Sequence, residues 1–284
     1  MATPSTEILR LHYYERQFLG AADLEDQQTY HRDMRRRHNI GDHTWGIATG
    51  FELVAEPDPG DSTAVLMWVN PGMAIDGFGR EIIALARFQL DPSLFAAYAS
   101  QGFHTVWISY QQQSVDPPQA GYSNCDASTQ YGRIEETYQI VIDPKSPTHD
   151  DITVGGEDAE SSTSDITLPA DLSTPYQEFP DDDTAPEWLV QIGKVNWDGV
   201  NQKFLPGPST DFYATGRSYV GVIAGTVYAP GASLVLQPRT VFADPDAQEF
   251  AEVKGRLQVD GRVEAEKDVL IQDRKSVCRE RVWR

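Results

Sequence analysis

The stretch Leu9–Val54, LRLHYYERQFLGAADLEDQQTYHRDMRRRHNIGDHTWGIATGFELV, decides how this chain reads. Ile8–Phe18 alternates Leu, Tyr and Phe with polar residues, as a short strand or an extended arm does. A helix follows, with Asp23 as N-cap, Asp26 as its capping-box partner, and carboxylates in the first turn opposing the positive end of the helix dipole. Arg32, Arg35, Arg36 and Arg37 fall in the later turns, where cations suit the negative end; Asn39 and Gly41 supply a stop. Leu24, Gln27, His31, Met34 and His38 form one stripe at helical spacing. That stripe is weakly apolar, so packing against the body or another subunit has to hold the helix.

From Gly46 the period changes to that of strands. Ile47–Val54 and Ala64–Val69 each read as one strand and Ala74–Phe88 as one or two, with Pro71-Gly72 and Gly77-Phe78-Gly79 at the turns. Asp91–Ser100 fits a short helix capped by Asp91 with Pro92 at its first position. Thr105–Tyr110 and Thr137–Ile142 are β runs rich in branched and aromatic residues. Asp143–Glu187 carries thirteen carboxylates against one lysine, a composition that buries little and reads as a long surface excursion. Trp188–Val195 resumes strand character and leads into a hairpin turning at Asp198-Gly199. Beyond Arg217 small branched residues suggest closing strands, and GRLQVDG followed six residues on by GRVEAEK has the form of a β-solenoid or fibre repeat.

The expected fold is therefore mainly β: an antiparallel β-sandwich or meander with an N-terminal α-helix and the start of a C-terminal β-solenoid or fibre-like repeat. The segments are an arm and helix (1–48), a first β part (49–142), the acidic excursion (143–187), a second β part (188–245), the repeat (246–272) and a tail (273–284). The tail turns abruptly basic, and Asp273–Val277 could be encoded by GATCGGAAGAGCGTC, which looks like a sequencing adapter. It is expected to be non-native, with the natural chain interrupted near Gln272.

A net charge of −20 over 284 residues opposes general binding to phosphate backbones, which needs a basic surface. The opening residues lack the basic and apolar regions of a secretory signal, and no apolar run approaches the roughly 20 residues that cross a bilayer. Synthesis in the cytoplasm is expected, without membrane insertion. Two cysteines, Cys125 and Cys278, are too few for a disulfide framework.

Chemical motifs are sparse. His31 and His38 share a helix face but stand two turns apart, too far for joint chelation, and neither H-E-x-x-H nor zinc-type Cys/His spacing occurs. His12 and His43 complete that group; stacking or hydrogen bonding at a helix–sheet junction is the simpler role. Gly77-Phe78-Gly79-Arg80-Glu81 lacks the Lys-Ser/Thr of a phosphate loop and reads as a tight hairpin, with Asp76, Arg80 and Glu81 in a local ion-pair cluster. The Asp181–Asp183 run lacks calcium-loop spacing, and Cys125 has no nearby histidine in sequence. No catalytic residue, cofactor site or metal site is assigned.

Two phrases carry a resemblance: the Leu9–Val54 stretch and Val69–Ile83 (VNPGMAIDGFGREII). Together they resemble uncharacterised proteins encoded beside phage-tail-like contractile injection systems and tail-fibre modules. Those proteins show a pattern close to "EQ-x-Y-x-x-x-R-x-R-x-HN-x-x-x-HG-WG", then "PG-x-AID-x-x-GREI". Arg35 and Arg37 stand on the "R-x-R-x-HN" positions and Arg36 is extra here. The resemblance implies a setting, a tail-like particle, and no reaction.

The expectation is a non-enzymatic structural or adaptor component of such a particle, docking through Tyr13, Tyr14, Arg35, Arg37, His38, Asn39 and Trp45, because Tyr, Trp and Arg dominate interface energetics. Its expected partners are other particle proteins and further copies of itself, a homo-oligomer of which a trimer is one form; nucleic acid is not among them. The alternative is a carbohydrate- or receptor-binding β-sandwich using Trp107, Tyr122, Trp188 or Trp197 as stacking platforms on a surface glycan. A polysaccharide-acting enzyme ranks third.

Overall fold

Alternation of apolar residues in Ala64–Val69, Thr105–Tyr110 and Trp188–Val195 builds the sheet that organises the protein. The computed structural model describes residues 9–116, 133–144, 153–154, 157–158 and 187–222. All of these lie in one compact unit, Met1–Tyr228; a second, Ala229–Arg284, falls outside the described residues together with the repeat (246–272), Cys278 and the tail.

The order is α1 (Ala21–Asp42), β1 (Gly46–Gly50), β2 (Leu53–Asp58), β3 (Asp61–Val69), β4 (Gly72–Ile75), β5 (Glu81–Ala84), β6 (Phe88–Gln89), β7 (Gln101–Val115), β8 (Arg133–Ile142), β9 (Thr153–Val154), β10 (Glu157–Asp158), β11 (Val190–Asp198) and β12 (Lys203–Leu205). A seven-stranded antiparallel sheet runs β2-β3-β12-β11-β7-β8, with β6 added to β3. A three-stranded sheet runs β1-β4-β5. The two sheets share one core: Ile47, Ala74, Ile82 and Ala84 from the small sheet pack with Leu53, Met67, Val69, Val106, Ile108, Val190, Ile192 and Trp197 of the large one. The mainly β, sandwich-like fold with an N-terminal helix is thus as the sequence led one to expect.

Several boundaries differ, each for a physical reason. Ile47–Val54 is not one strand. Gly50 (φ +72°) and Phe51 (φ +57°) both take left-handed backbone and carry the chain from the small sheet to the large one. A fully buried aromatic at such a φ gives no signal in sequence, since non-glycine residues rarely adopt it. The corner is held by Arg217, whose guanidinium donates to the carbonyls of Gly50 (2.5 Å), Phe51 (2.6 Å) and Ile192 (2.9 Å).

The helix also begins earlier than expected, with Gly20 as N-cap. Asp23, placed above as the cap, is the residue whose Oδ2 accepts the Gly20 N–H at 2.8 Å. At the other end it runs past Asn39 and Gly41 to Asp42, so the arginines sit short of the last turn and their fit to the helix dipole is weakened. Asp91–Ser100 forms only a 3-10 turn, Pro92–Phe95, although Asp91 does cap it by accepting the Ser93 N–H at 2.8 Å. Within the acidic excursion β9 and β10 pair as a short ladder; its other residues, Asp143, Pro144 and Glu187 apart, lie outside the described set. No described helix is long and apolar enough to cross a membrane.

Candidate functional site

The hairpin β4–β5 turns through Asp76–Arg80, and one buried carboxylate organises it. Asp76 Oδ1 accepts the N–H groups of Phe78 (2.9 Å) and Arg80 (2.8 Å), and Oδ2 accepts Arg80 Nε at 2.6 Å. Both partners are almost fully buried. The Arg80 guanidinium lies between two rings, 5.0 Å from the Phe78 centroid and 4.8 Å from that of Tyr110, a cation–π arrangement. Burial pushes the Asp76 carboxyl above the usual carboxylate range, against the pull of Arg80 and the two backbone N–H groups. The expected Asp76–Arg80 pair is present, whereas Glu81 points away from it.

Glu81 instead receives the helix. Arg35 grips its carboxylate through both Nε (2.7 Å) and Nη2, and Asn39 Nδ2 donates to the Gly79 carbonyl at 2.9 Å. Gly79 (φ +75°) lies so close to α1 that a β-carbon there would stand 2.6 Å from the Arg36 carbonyl oxygen. On the other side of the turn a β-carbon at Gly77 would overlap the ring of Trp188, which also meets Phe78 and Trp45 edge-on at 5.7 and 5.6 Å. The two phrases that carry the resemblance therefore form one joint. Gly79 seats the helix, Gly77 makes room for the Trp188 ring, and Arg35 and Asn39 supply the seat's polar grip.

Only Arg36, Asn39 and Ile40 of α1 are buried. The earlier turns stand clear of the body, flanked by two clefts. One, of about 510 Å3, separates the helix residues Gln28, His31, Arg32, Arg35 and Arg36 from Tyr110, Gln112, Ile134 and Glu136 of the β7–β8 ribbon. The other, of about 420 Å3, lies between the arm residues Leu9–Leu11 and the helix residues Asp26, Thr29, Tyr30, Asp33 and Arg37.

The seven residues singled out from sequence separate into two groups. Tyr13, Tyr14 and His38 are exposed, and Arg35 is exposed while bound to Glu81. Asn39 is buried in the joint, Trp45 is half-buried against Trp188, and Arg37 lines the arm cleft. His38 pairs with Asp42 at 2.9 Å and meets His43 edge-on, whereas the other two histidines of the group lie away from the junction: His12 is exposed on the arm, and His31 meets Tyr30 edge-on and lines the ribbon cleft. Among the described residues no group of three or more His, Cys, Asp or Glu is placed to hold a metal ion. Three of the aromatics considered as glycan platforms, Trp107, Trp188 and Trp197, are core residues less than 5% exposed; Tyr122 lies outside the described residues. Sequence reading missed Tyr110, Gln112, Ile134 and Glu136, because strand register alone brings the ribbon opposite the helix.

One further dyad has catalytic ingredients and a structural setting. His104 Nδ1 meets Asp143 Oδ2 at 2.5 Å, while Asp143 Oδ1 accepts from the N–H (2.6 Å) and hydroxyl (2.7 Å) of Thr105. His104 Nε2 is buried without a hydrogen-bond partner and its ring packs against Phe95 and Tyr98, so the dyad braces the left-handed exit of β8 at Asp143 (φ +40°). Partial burial works to raise the Asp143 pKa, but the Thr105 and His104 hydrogen bonds outweigh it and hold the carboxyl below its ordinary 3.8. A depressed folded value means stability that is present above pH 3.8 and lost as pH falls through the folded pKa. Acid titration of stability should therefore drop less steeply for Asp143→Asn than for the native chain below that pH.

No family model matches the chain, and no curated protein matches it.

Proposed function

We propose that this protein is a non-enzymatic structural or adaptor component of an assembled, phage-tail-like particle, docking through its N-terminal arm and helix. The observation that carries the reading is mechanical. Among the described residues, a helix of about 33 Å buries only Arg36, Asn39 and Ile40, near its C-terminal end, and its N-terminal end bears an arm with exposed Leu9, Tyr13, Tyr14 and Phe18. Water-exposed aromatics and leucines grouped on one projecting element mark a surface that a partner covers. The rigid joint then orients that element relative to the sandwich, so that attachment fixes the direction of the whole body. Copies repeated on a symmetric particle turn modest contacts into durable attachment. The resemblance supports the setting, since the phrases behind it are those that build the joint.

The test is co-expression with the products of genes flanking its own, followed by affinity capture. The full chain is expected to retain a particle protein, and deletion of residues 1–20 to cut retention at least tenfold with the sandwich still folded. Equal capture by the truncated chain, or no particle protein retained by the full chain, overturns the reading.

A further inference from the structure

We infer that the cleft between α1 and the β7–β8 ribbon binds a neutral carbohydrate, a short oligosaccharide held by hydrogen bonds from both walls. The inference goes beyond the docking reading, because this cleft and the arm lie on different flanks of the helix. Two periodicities make the walls. Gln28, Arg32 and Arg35 stand four and three residues apart, so they form one stripe along α1. Tyr110 and Gln112 alternate along β7, while Glu136 and Ile134 of β8 oppose Gln112 and Ser114, which turns the four lining side chains to one face of the ribbon. The floor is the joint itself, where Arg35 on Glu81 and Asn39 on Gly79 fix the helix wall to the body. Both walls are therefore built before a ligand arrives. The volume of about 510 Å3 falls within the roughly 300–1,000 Å3 common for small-molecule sites.

Charge balance and hydrogen-bonding capacity select the ligand. Four guanidiniums line the cleft, those of Arg32, Arg35, Arg36 and Arg80. Four carboxylates match them in number: Glu81, gripped by Arg35; Asp76, 2.6 Å from Arg80; Asp33, 3.8 Å from Arg32; and Glu136 in the ribbon wall. An ionic ligand needs a wall of opposite potential, and this wall carries both signs in equal number. What it does offer is capacity for neutral hydrogen bonds. A guanidinium carries five N–H donors, and Arg35 binds Glu81 through Nε and Nη2 alone. The amides of Gln28 and Gln112 can each donate and accept, and Glu136 meets the Tyr110 hydroxyl (3.3 Å) through only one of its two oxygens. Sugar hydroxyls likewise donate and accept. Ile134, 63% exposed, gives the C–H face of a sugar ring an apolar contact. A peptide is matched less well, because it binds a sheet through the backbone of an edge strand, whereas a helix stripe and a sheet face meet this cleft with side chains.

The experiment uses the full chain. Screening on an array of neutral and acidic oligosaccharides should return neutral binders. Titration calorimetry with the best of them should give an affinity that changes less than twofold between low salt and about 0.5 M salt, where exposed ionic contacts are screened. Gln28→Ala with Gln112→Ala removes one side chain from each wall and should weaken that binding at least tenfold without altering the far-ultraviolet spectrum. Gln113→Ala is the control: its side chain lies on the opposite face of β7, bonded to Glu135, and its loss should leave sugar binding unchanged. No neutral sugar bound, binding confined to acidic sugars or abolished by salt, or binding that ignores the double alanine or falls equally with Gln113→Ala would overturn the inference. Deletion of residues 1–20 leaves the lining of this cleft whole, so failure here and failure of capture through the arm are read separately.

Discussion

Asp76→Ala should destabilise the protein by about 3–5 kcal/mol, the cost typical of breaking a buried ion pair by removing one partner. The alanine takes away the acceptor for two backbone N–H groups and the carboxylate facing Arg80, in a turn where both side chains are almost fully enclosed. The pair itself contributes little net stability, because burial pushes Asp76 upward and so offsets much of the attraction. These two statements make a joint test. Asp76→Asn with Arg80→Met keeps an amide oxygen for the backbone N–H groups, removes both charges and fills the space between Phe78 and Tyr110. Its stability should return to within about 1.5 kcal/mol of the native chain, as for volume-conserving core exchanges. Urea unfolding of the native, Asp76→Ala, Arg80→Met and double-variant proteins measures this. A double variant as unstable as Asp76→Ala would mean that the turn depends on the charge pair and not on its hydrogen-bonded shape.

The turn shows where sequence is informative and where it stops. Asp76 and Arg80 lie four residues apart across two glycines, and that local spacing is enough to read a tight hairpin with an internal ion pair. Glu81 looked like a third member of the same cluster, yet its partner is Arg35, forty-six residues earlier. Local reading assigns a charge to its nearest opposite in sequence, whereas packing assigned it to the helix. The same holds for Asn39, which has the composition of a helix stop and the role of a donor to the Gly79 carbonyl. Strands such as Thr105–Tyr110 and Trp188–Val195 were legible because burial on a pleated sheet imposes its period on the residues. The corner at Gly50-Phe51 was not, since it depends on a distant Arg217 that binds three carbonyls. Likewise the tryptophans first considered for a glycan surface proved to be the core, as large aromatics usually do when sheets pack face to face.

Gly79→Val should unseat α1 while leaving the sandwich folded. Left-handed backbone at φ +75° is costly for a β-branched residue, about 1–3 kcal/mol from conformation alone. The added β-carbon would also stand 2.6 Å from the Arg36 carbonyl oxygen and 3.0 Å from its α-carbon, within the helix backbone, which cannot yield as a flexible side chain can. The helix must therefore move, and with it go the Asn39 hydrogen bond and the Arg35 grip on Glu81. Hydrogen exchange distinguishes this from general destabilisation. Amides of Ala21–Asp42 should lose protection by at least tenfold, while those of Val106–Ile108 and Val190–Val195, buried in the large sheet, should keep theirs. If docking needs a helix held at a fixed angle to the body, capture of a particle partner should fall with the same substitution even though the arm is intact. Retained capture with a loosened helix would assign attachment to the arm alone and reduce the joint to a tether; unchanged protection of the helix would show that the glycine is not what seats it.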